Sequence, residues 1–130
     1  MKKYQIRRIE VRQLKFRAWD KVKKEWIYSD TFSAMWLYFK ELELRGIRHF
    51  ESYQYTGFKD KNEVEIYGGD LVMLYEYPWS RIKHPEVVKW LDYACGFEPF
   101  CISIPDYGHP VAGEWAEVIG NIYENKELLK

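Results

Sequence analysis

Three histidines, four aspartates near turns and two cysteines are the residues of this 130-residue chain that could do chemistry. His49, His84 and His109 would serve metal binding or general-base work, because imidazole takes a metal or a proton near neutral pH. A zinc site on one element needs ligands a few residues apart. These three stand far apart, in or beside predicted loops, and are read as non-ligands. Asp60, Asp70, Asp92 and Asp106 could assemble a carboxylate pair, since the fold rather than the sequence brings such pairs together. All four sit in or beside predicted turns, where an aspartate accepts hydrogen bonds from nearby backbone amides. Asp70, following Gly68-Gly69, is expected to fix where the strand from Leu71 begins. Cys95 and Cys101 are too few for a disulfide framework and fit no metal knuckle, so they are expected to be reduced core thiols. The sequence holds no Walker loop, no dinucleotide-binding glycine fingerprint and no nucleophile elbow. Catalytic residues, metal and cofactor are all expected to be none, and the chain is read as a non-enzyme.

Binding chemistry is better represented. Ten of the first 24 residues are Lys or Arg against two acids, with Tyr4, Phe16 and Trp19 among them. Cations neutralise phosphates and rings stack on bases, which makes Arg7, Arg8, Arg12, Lys15 and Arg17 candidate binding residues. Trp79, Arg81 and Lys83 join them from the proline-bounded loop Pro78 to Pro85, because binding residues often ride on loops held by a rigid scaffold. The competing reading is a solvated strand face and a Trp79 that folds back onto the core.

The elements that must position these residues are mostly strands. Ile9 and Val11 alternate, then the phase changes to Leu14, Phe16 and Ala18, which puts Lys15 and Arg17 on the opposite face of a strand. Lys21 to Lys24 is a polar turn, and Trp26-Ile27-Tyr28 returns. Asp30 or Thr31 is an apt N-cap for a helix to about Arg45, ended by Gly46. Phe32, Met35, Trp36, Phe39 and Leu42 give it one apolar stripe, read as core or as an exposed partner face. Thr56-Gly57 and Lys59 to Glu63 read as turns. Val64 to Tyr67, Leu71 to Tyr77, Glu86 to Asp92, Phe97 to Ile104 and Ala116 to Tyr123 read as five strands, with Pro99 marking the fourth as an edge. The expected fold is mainly β (α+β): a small SH3-like β-barrel with an added N-terminal strand pair and one helix. A single domain over 1–130 is expected, with 1–14 as an extension, 15–50 as strand pair plus helix, and 51–130 as the barrel-like β region.

Three blocks of sequence carry a likeness to a known family. Lys15-Phe-Arg-Ala-Trp-Asp20, the run from Gln54 to Val72, and Glu117-Val-Ile-Gly-Asn-Ile-Tyr-Glu-Asn125, with a weaker Val88-Lys-Trp90, resemble the YopX-like proteins of phages and prophages of Gram-positive bacteria. Asn62-Glu63 stands where that family usually has Asn-Gly, and Gly68-Gly69-Asp70 where it usually has Glu-Gly-Asp. The resemblance implies a mainly β protein and carries over no catalytic residues.

Lys plus Arg and Asp plus Glu both total 20, so the net charge is zero, yet residues 1–50 carry +7 and residues 51–130 carry −7. A dedicated nucleic-acid binder would be clearly basic. The function expected from the sequence is therefore a non-enzymatic interaction protein whose partner is a host or phage protein or a second copy, with nucleic-acid binding through the basic N-terminal segment as the alternative. No apolar run is long enough for a signal peptide or a membrane span, so the expected location is the cytoplasm and no membrane partner is expected.

Overall fold

The computed structural model describes residues 13–76, 80–81, 85–101 and 113–129. Ten short strands and one α-helix among these residues give the mainly β, barrel-like α+β fold that the sequence pattern predicts.

The first sheet has strand order β2-β1-β3-β4. β1 (Phe16–Asp20) turns back into β2 (Glu25–Tyr28). Asp20 makes that turn. Its Oδ1 accepts the N–H groups of Val22 at 2.9 Å and Lys23 at 3.0 Å, while Lys24 takes a positive φ. β3 (Phe50–Lys59) is longer than any strand expected for this region. Thr56-Gly57 does not end it: Gly57 takes φ +91° and the register against β4 (Glu65–Tyr67) shifts between Tyr55 and Lys59, so the expected turn is a bulge. The turn expected at Lys59 to Glu63 does form, with Glu63 at φ +65° in the position where a glycine is usual. Asp60 Oδ1 secures it by accepting from the N–H of Asn62 and of Val64.

Gly69, at φ +86°, carries the chain from β4 into β5 (Asp70–Glu76). A Cβ there would meet the Tyr53 ring at 3.2 Å, so both conformation and space call for glycine. β5 is the centre of the second sheet, between β10 (Ala116–Asn121) and β6 (Ser80–Arg81), with β7 (Glu86–Val87) also paired to it. The loop expected from Pro78 to Pro85 therefore contains a strand at its middle. β8 (Lys89–Leu91) and β9 (Gly96–Glu98) form a separate hairpin. Its linker exposes Cys95, and Cys101, just beyond β9, is partly covered, which corrects the expectation of two core thiols.

The two faces of the first sheet have different partners. Alternation places Phe16 and Ala18 on one face, together with Ile27 and Phe50, and there they meet Tyr38 and Leu42 of α1 (Met35–Arg45). Burial among these groups pushes the Tyr38 phenol up to about 12. The helix starts later than expected because Asp30 and Thr31 lie in a 3-10 turn, where the Thr31 hydroxyl donates back to the Tyr28 carbonyl at 2.7 Å instead of capping. Its buried stripe is also rotated, since Tyr38 is inaccessible whereas Trp36 and Phe39 are 63% and 48% exposed. A second core of Ile66, Val72, Leu74, Val88, Phe97, Phe100 and Ala116 lies under the second sheet.

Candidate functional site

The other face of the first sheet presents Arg17, Trp19, Trp26 and Tyr53, and these form the junction with the second sheet. The Arg17 guanidinium lies 3.9 Å from the centre of the Trp26 ring and 4.9 Å from that of Tyr67. Its Nη2 donates to Asp70 Oδ1 at 2.8 Å and to the Gly68 carbonyl at 3.1 Å. Asp70 Oδ2 accepts the Tyr67 N–H at 2.8 Å. Asp70 thus makes the local turn contact expected of it and also a buried ion pair that the sequence did not suggest. Burial pushes its carboxyl above the usual range, against the pull of Arg17 and the Tyr67 amide.

The C-terminal block closes the same junction. Tyr123 stacks on Trp19 with centroids 4.9 Å apart and planes 7° from parallel, and its hydroxyl is hydrogen-bonded to that of Tyr53. Burial raises the Tyr123 phenol. Asn121 Oδ1 holds the turn by accepting from the N–H groups of Tyr123 and Glu124, and Glu124 accepts the Trp26 indole N–H at 3.0 Å. The three blocks of sequence therefore converge on one buried, polar-aromatic knot. Arg17 Nε and the Tyr67 hydroxyl are buried there without a hydrogen-bond partner among the described residues. The Arg17–Asp70, Tyr53–Tyr123 and Trp26–Glu124 contacts pair its other polar groups with one another, so the knot chiefly positions its neighbours.

Beside the knot lies an open cleft of about 350 Å³, within the range for small-molecule and side-chain pockets. Ser52, Tyr53 and Gln54 of β3 form one wall, Gly68 and Gly69 the base, and Val88, Lys89, Trp90 and Phe97 the opposite wall. Trp90 packs edge-on against Phe97 at 5.2 Å and is 48% exposed. Its indole N–H donates to Asp92 Oδ1 at 2.8 Å, which fixes the ring at the mouth. Lys89 faces Glu98 at 3.6 Å, so the wall carries no uncompensated charge. An apolar wall with a pre-oriented half-exposed indole is suited to holding apolar or planar groups.

The basic residues expected to bind are not gathered here. Arg17 differs most from expectation. It is 4% accessible and committed to Asp70, so it is part of the knot and not of a solvated face. Lys15 donates to Glu65, which raises its ammonium above the usual range, and lies 5.1 Å from the Tyr55 ring centre. Arg81 contributes backbone to β6, paired with Tyr75. Arg7, Arg8, Arg12, Trp79 and Lys83 lie outside the described residues, as do His84, His109 and Asp106. Among the described residues no three His, Cys, Asp or Glu side chains group as metal ligands. Asp60 and Asp92 instead accept hydrogen bonds from nearby groups, Asp60 Oδ2 reaching the Val118 N–H at 2.9 Å. Tyr53, Lys89, Trp90 and Phe97 were not singled out by sequence reasoning, and the weak Val88-Lys-Trp90 block was the one signal pointing at them.

No match was found among curated proteins. The fold is similar to the crystal structure of protein EF1440 from Enterococcus faecalis, with a TM-score of 0.52 and 22% identity over 91% of this chain and 99% of that one. That likeness extends to the fold alone. The YopX protein family model matches residues 15–130, the span that holds the knot, both sheets and the cleft, and the chain belongs to the YopX family.

Proposed function

We propose that this protein works by binding and not by catalysis, and that the cleft between β3 and β8 receives part of a protein partner. The half-exposed Trp90 at the mouth of an aromatic-walled cleft, whose Lys89 is paired with Glu98, supports this reading most. A buried aromatic anchor surrounded by neutral contacts is the usual energetic centre of a protein interface. The phage or prophage setting implied by the sequence resemblance, and the cytoplasmic location expected from the lack of a long apolar run, belong to the same proposal. None of the described helices is long and apolar enough to cross a membrane.

Nucleic-acid binding through Arg7, Arg8, Arg12, Lys15, Arg17 and the loop carrying Trp79, Arg81 and Lys83 is the second reading, favoured by the +7 charge of residues 1–50. The pairing of Lys15 and Arg17 with carboxylates speaks against it. A fluorescence titration of the full chain with single-stranded DNA, duplex DNA and RNA at low and moderate salt separates the two. Binding through a protein-seeking cleft predicts no saturable signal. Saturable binding that weakens with salt and disappears when Arg7, Arg8 and Arg12 are reversed to Glu would establish the second reading instead.

A further inference from the structure

The hydrogen-bond phase of β3 decides which way its backbone groups point. In an antiparallel pair each residue directs its N–H and C=O to the same side, and successive residues alternate. The Tyr55 N–H donates to the Lys15 carbonyl at 2.9 Å beyond one end of the β1–β3 ladder, and the Lys21 N–H to the His49 carbonyl at 2.8 Å beyond the other. The register runs unbroken from Phe16 opposite Gln54 to Asp20 opposite Phe50. Residues 51 and 53 therefore face β1, and residues 50, 52 and 54 face the opposite side. On that side the Gln54 carbonyl accepts the Gly68 N–H at 2.9 Å, and β4 pairs with β3 only from Tyr55 onward. Among the described residues the N–H and C=O of Ser52 have no backbone partner.

The base of the cleft shows what fits there. Gly68 donates to Gln54 on one wall and Gly69 donates to the Val88 carbonyl on the other at 2.8 Å, so a single stretch of backbone bridges β3 and the start of β8. Further along, the same slot is open, with Ser52 and Tyr53 on one side and Trp90 and Phe97 on the other. We infer that the cleft binds an extended segment of a partner polypeptide as an added strand on the Ser52 edge of β3, with its apolar side chains packed against Tyr53, Trp90 and Phe97. This rests on the reading of the cleft as a protein-binding site and adds the mode of binding. A polypeptide supplies the amide donors and acceptors that an unpaired edge needs. A nucleic-acid backbone does not, and Lys89, the one cation among the described lining residues, already faces Glu98.

The test is selection of a displayed random-peptide library on the immobilised full chain, then titration of recovered peptides by fluorescence anisotropy. S52P removes the outward N–H while sparing the ladder with β1, and W90A removes the anchor. The expected peptides carry apolar residues at alternate positions, bind the wild type, weaken about tenfold with S52P, as loss of strand hydrogen bonds would give, and slow amide exchange at Ser52. If S52P does not fold, the exchange measurement on the wild type decides. Loss of binding with W90A, but not S52P, and unchanged Ser52 exchange would overturn strand addition and keep the cleft as a binding site. Binding indifferent to both variants, or no peptide recovered, would overturn both. A concentration-dependent dimer in sedimentation that S52P abolishes would overturn the inference by making a second copy the occupant.

Discussion

At the scale of single residues, Asp20, Asp60, Asp70 and Asp92 are structural acceptors, and Asp20 shows how such a role becomes measurable. Burial opposes its ionisation, but the N–H groups of Lys23 and Val22 and then Arg45 outweigh that and hold the carboxyl below its ordinary 3.8. A carboxyl with a depressed folded value binds fewer protons in the folded state than in the unfolded one, so stability rises with pH through that window. The Asp20 contribution is fully present above the unfolded value near 3.8 and is lost as pH falls through the folded value. D20N should therefore have a lower urea midpoint than the wild type near neutral pH, with the gap closing in acid. A gap that stays constant with pH would show that Asp20 acts by packing alone. The turn role of Asp60 and of Asp70 was legible because an Asp in or beside a turn accepts hydrogen bonds from nearby backbone amides. The Arg17–Asp70 pair was not, since alternation gives the face of a side chain but says nothing about which charge lies opposite, 53 residues away.

At the scale of elements, α1 separates what periodicity can predict from what packing decides. The helix was legible in its spacing and in Gly46, whose N–H closes onto Leu42 and Glu43. Its orientation was not. Met35, Tyr38 and Leu42 match the curved apolar surface of Ala18, Ile27 and Phe50, and the two aromatic residues flanking that line are left on its shoulder. Two residues of the predicted stripe, Leu42 and Trp36, should then respond differently to truncation. L42A empties a site that is 2% accessible and should cost about 2–5 kcal/mol in urea unfolding. W36S removes a larger side chain from a mostly exposed position and should change stability by no more than about 0.5 kcal/mol. Comparable losses would mean that Trp36 is covered in solution, which would make that shoulder an interface. β3 was missed for a related reason: a bulge at Thr56-Gly57 breaks the period of 2 that identifies a strand, and sequence cannot tell such a break from a turn.

At the scale of the whole molecule, the knot determines whether the two sheets unfold together. The helix side of the first sheet and the core beneath β5 and β10 are separate apolar clusters. The Arg17 pair, the Tyr123 stack and the Gly68-Gly69 turn link them. The blocks that mark the family supply these links, which explains how short separated motifs can be legible while the cleft beside them is not. The motifs encode a connection, and the cleft is the space left over once it is made. Replacing Arg17 with Met strands Asp70 in a nearly inaccessible position, and breaking one partner of such a pair should cost about 3–5 kcal/mol. If the knot couples the sheets, Trp19 and Trp26 fluorescence and amide exchange in β5 and β10 should shift by the same amount in R17M, and the added D70N change should recover part of the loss at both probes. A fluorescence shift with unaltered exchange in β5 would mean that the sheets are independent and that the knot serves only the first. The coupled outcome bears on the cleft as well, because one wall is β3 of the first sheet and the other is the β8–β9 hairpin, whose Val88 and Phe97 belong to the core beneath the second sheet, and the Gly68-Gly69 connection at its base joins the two.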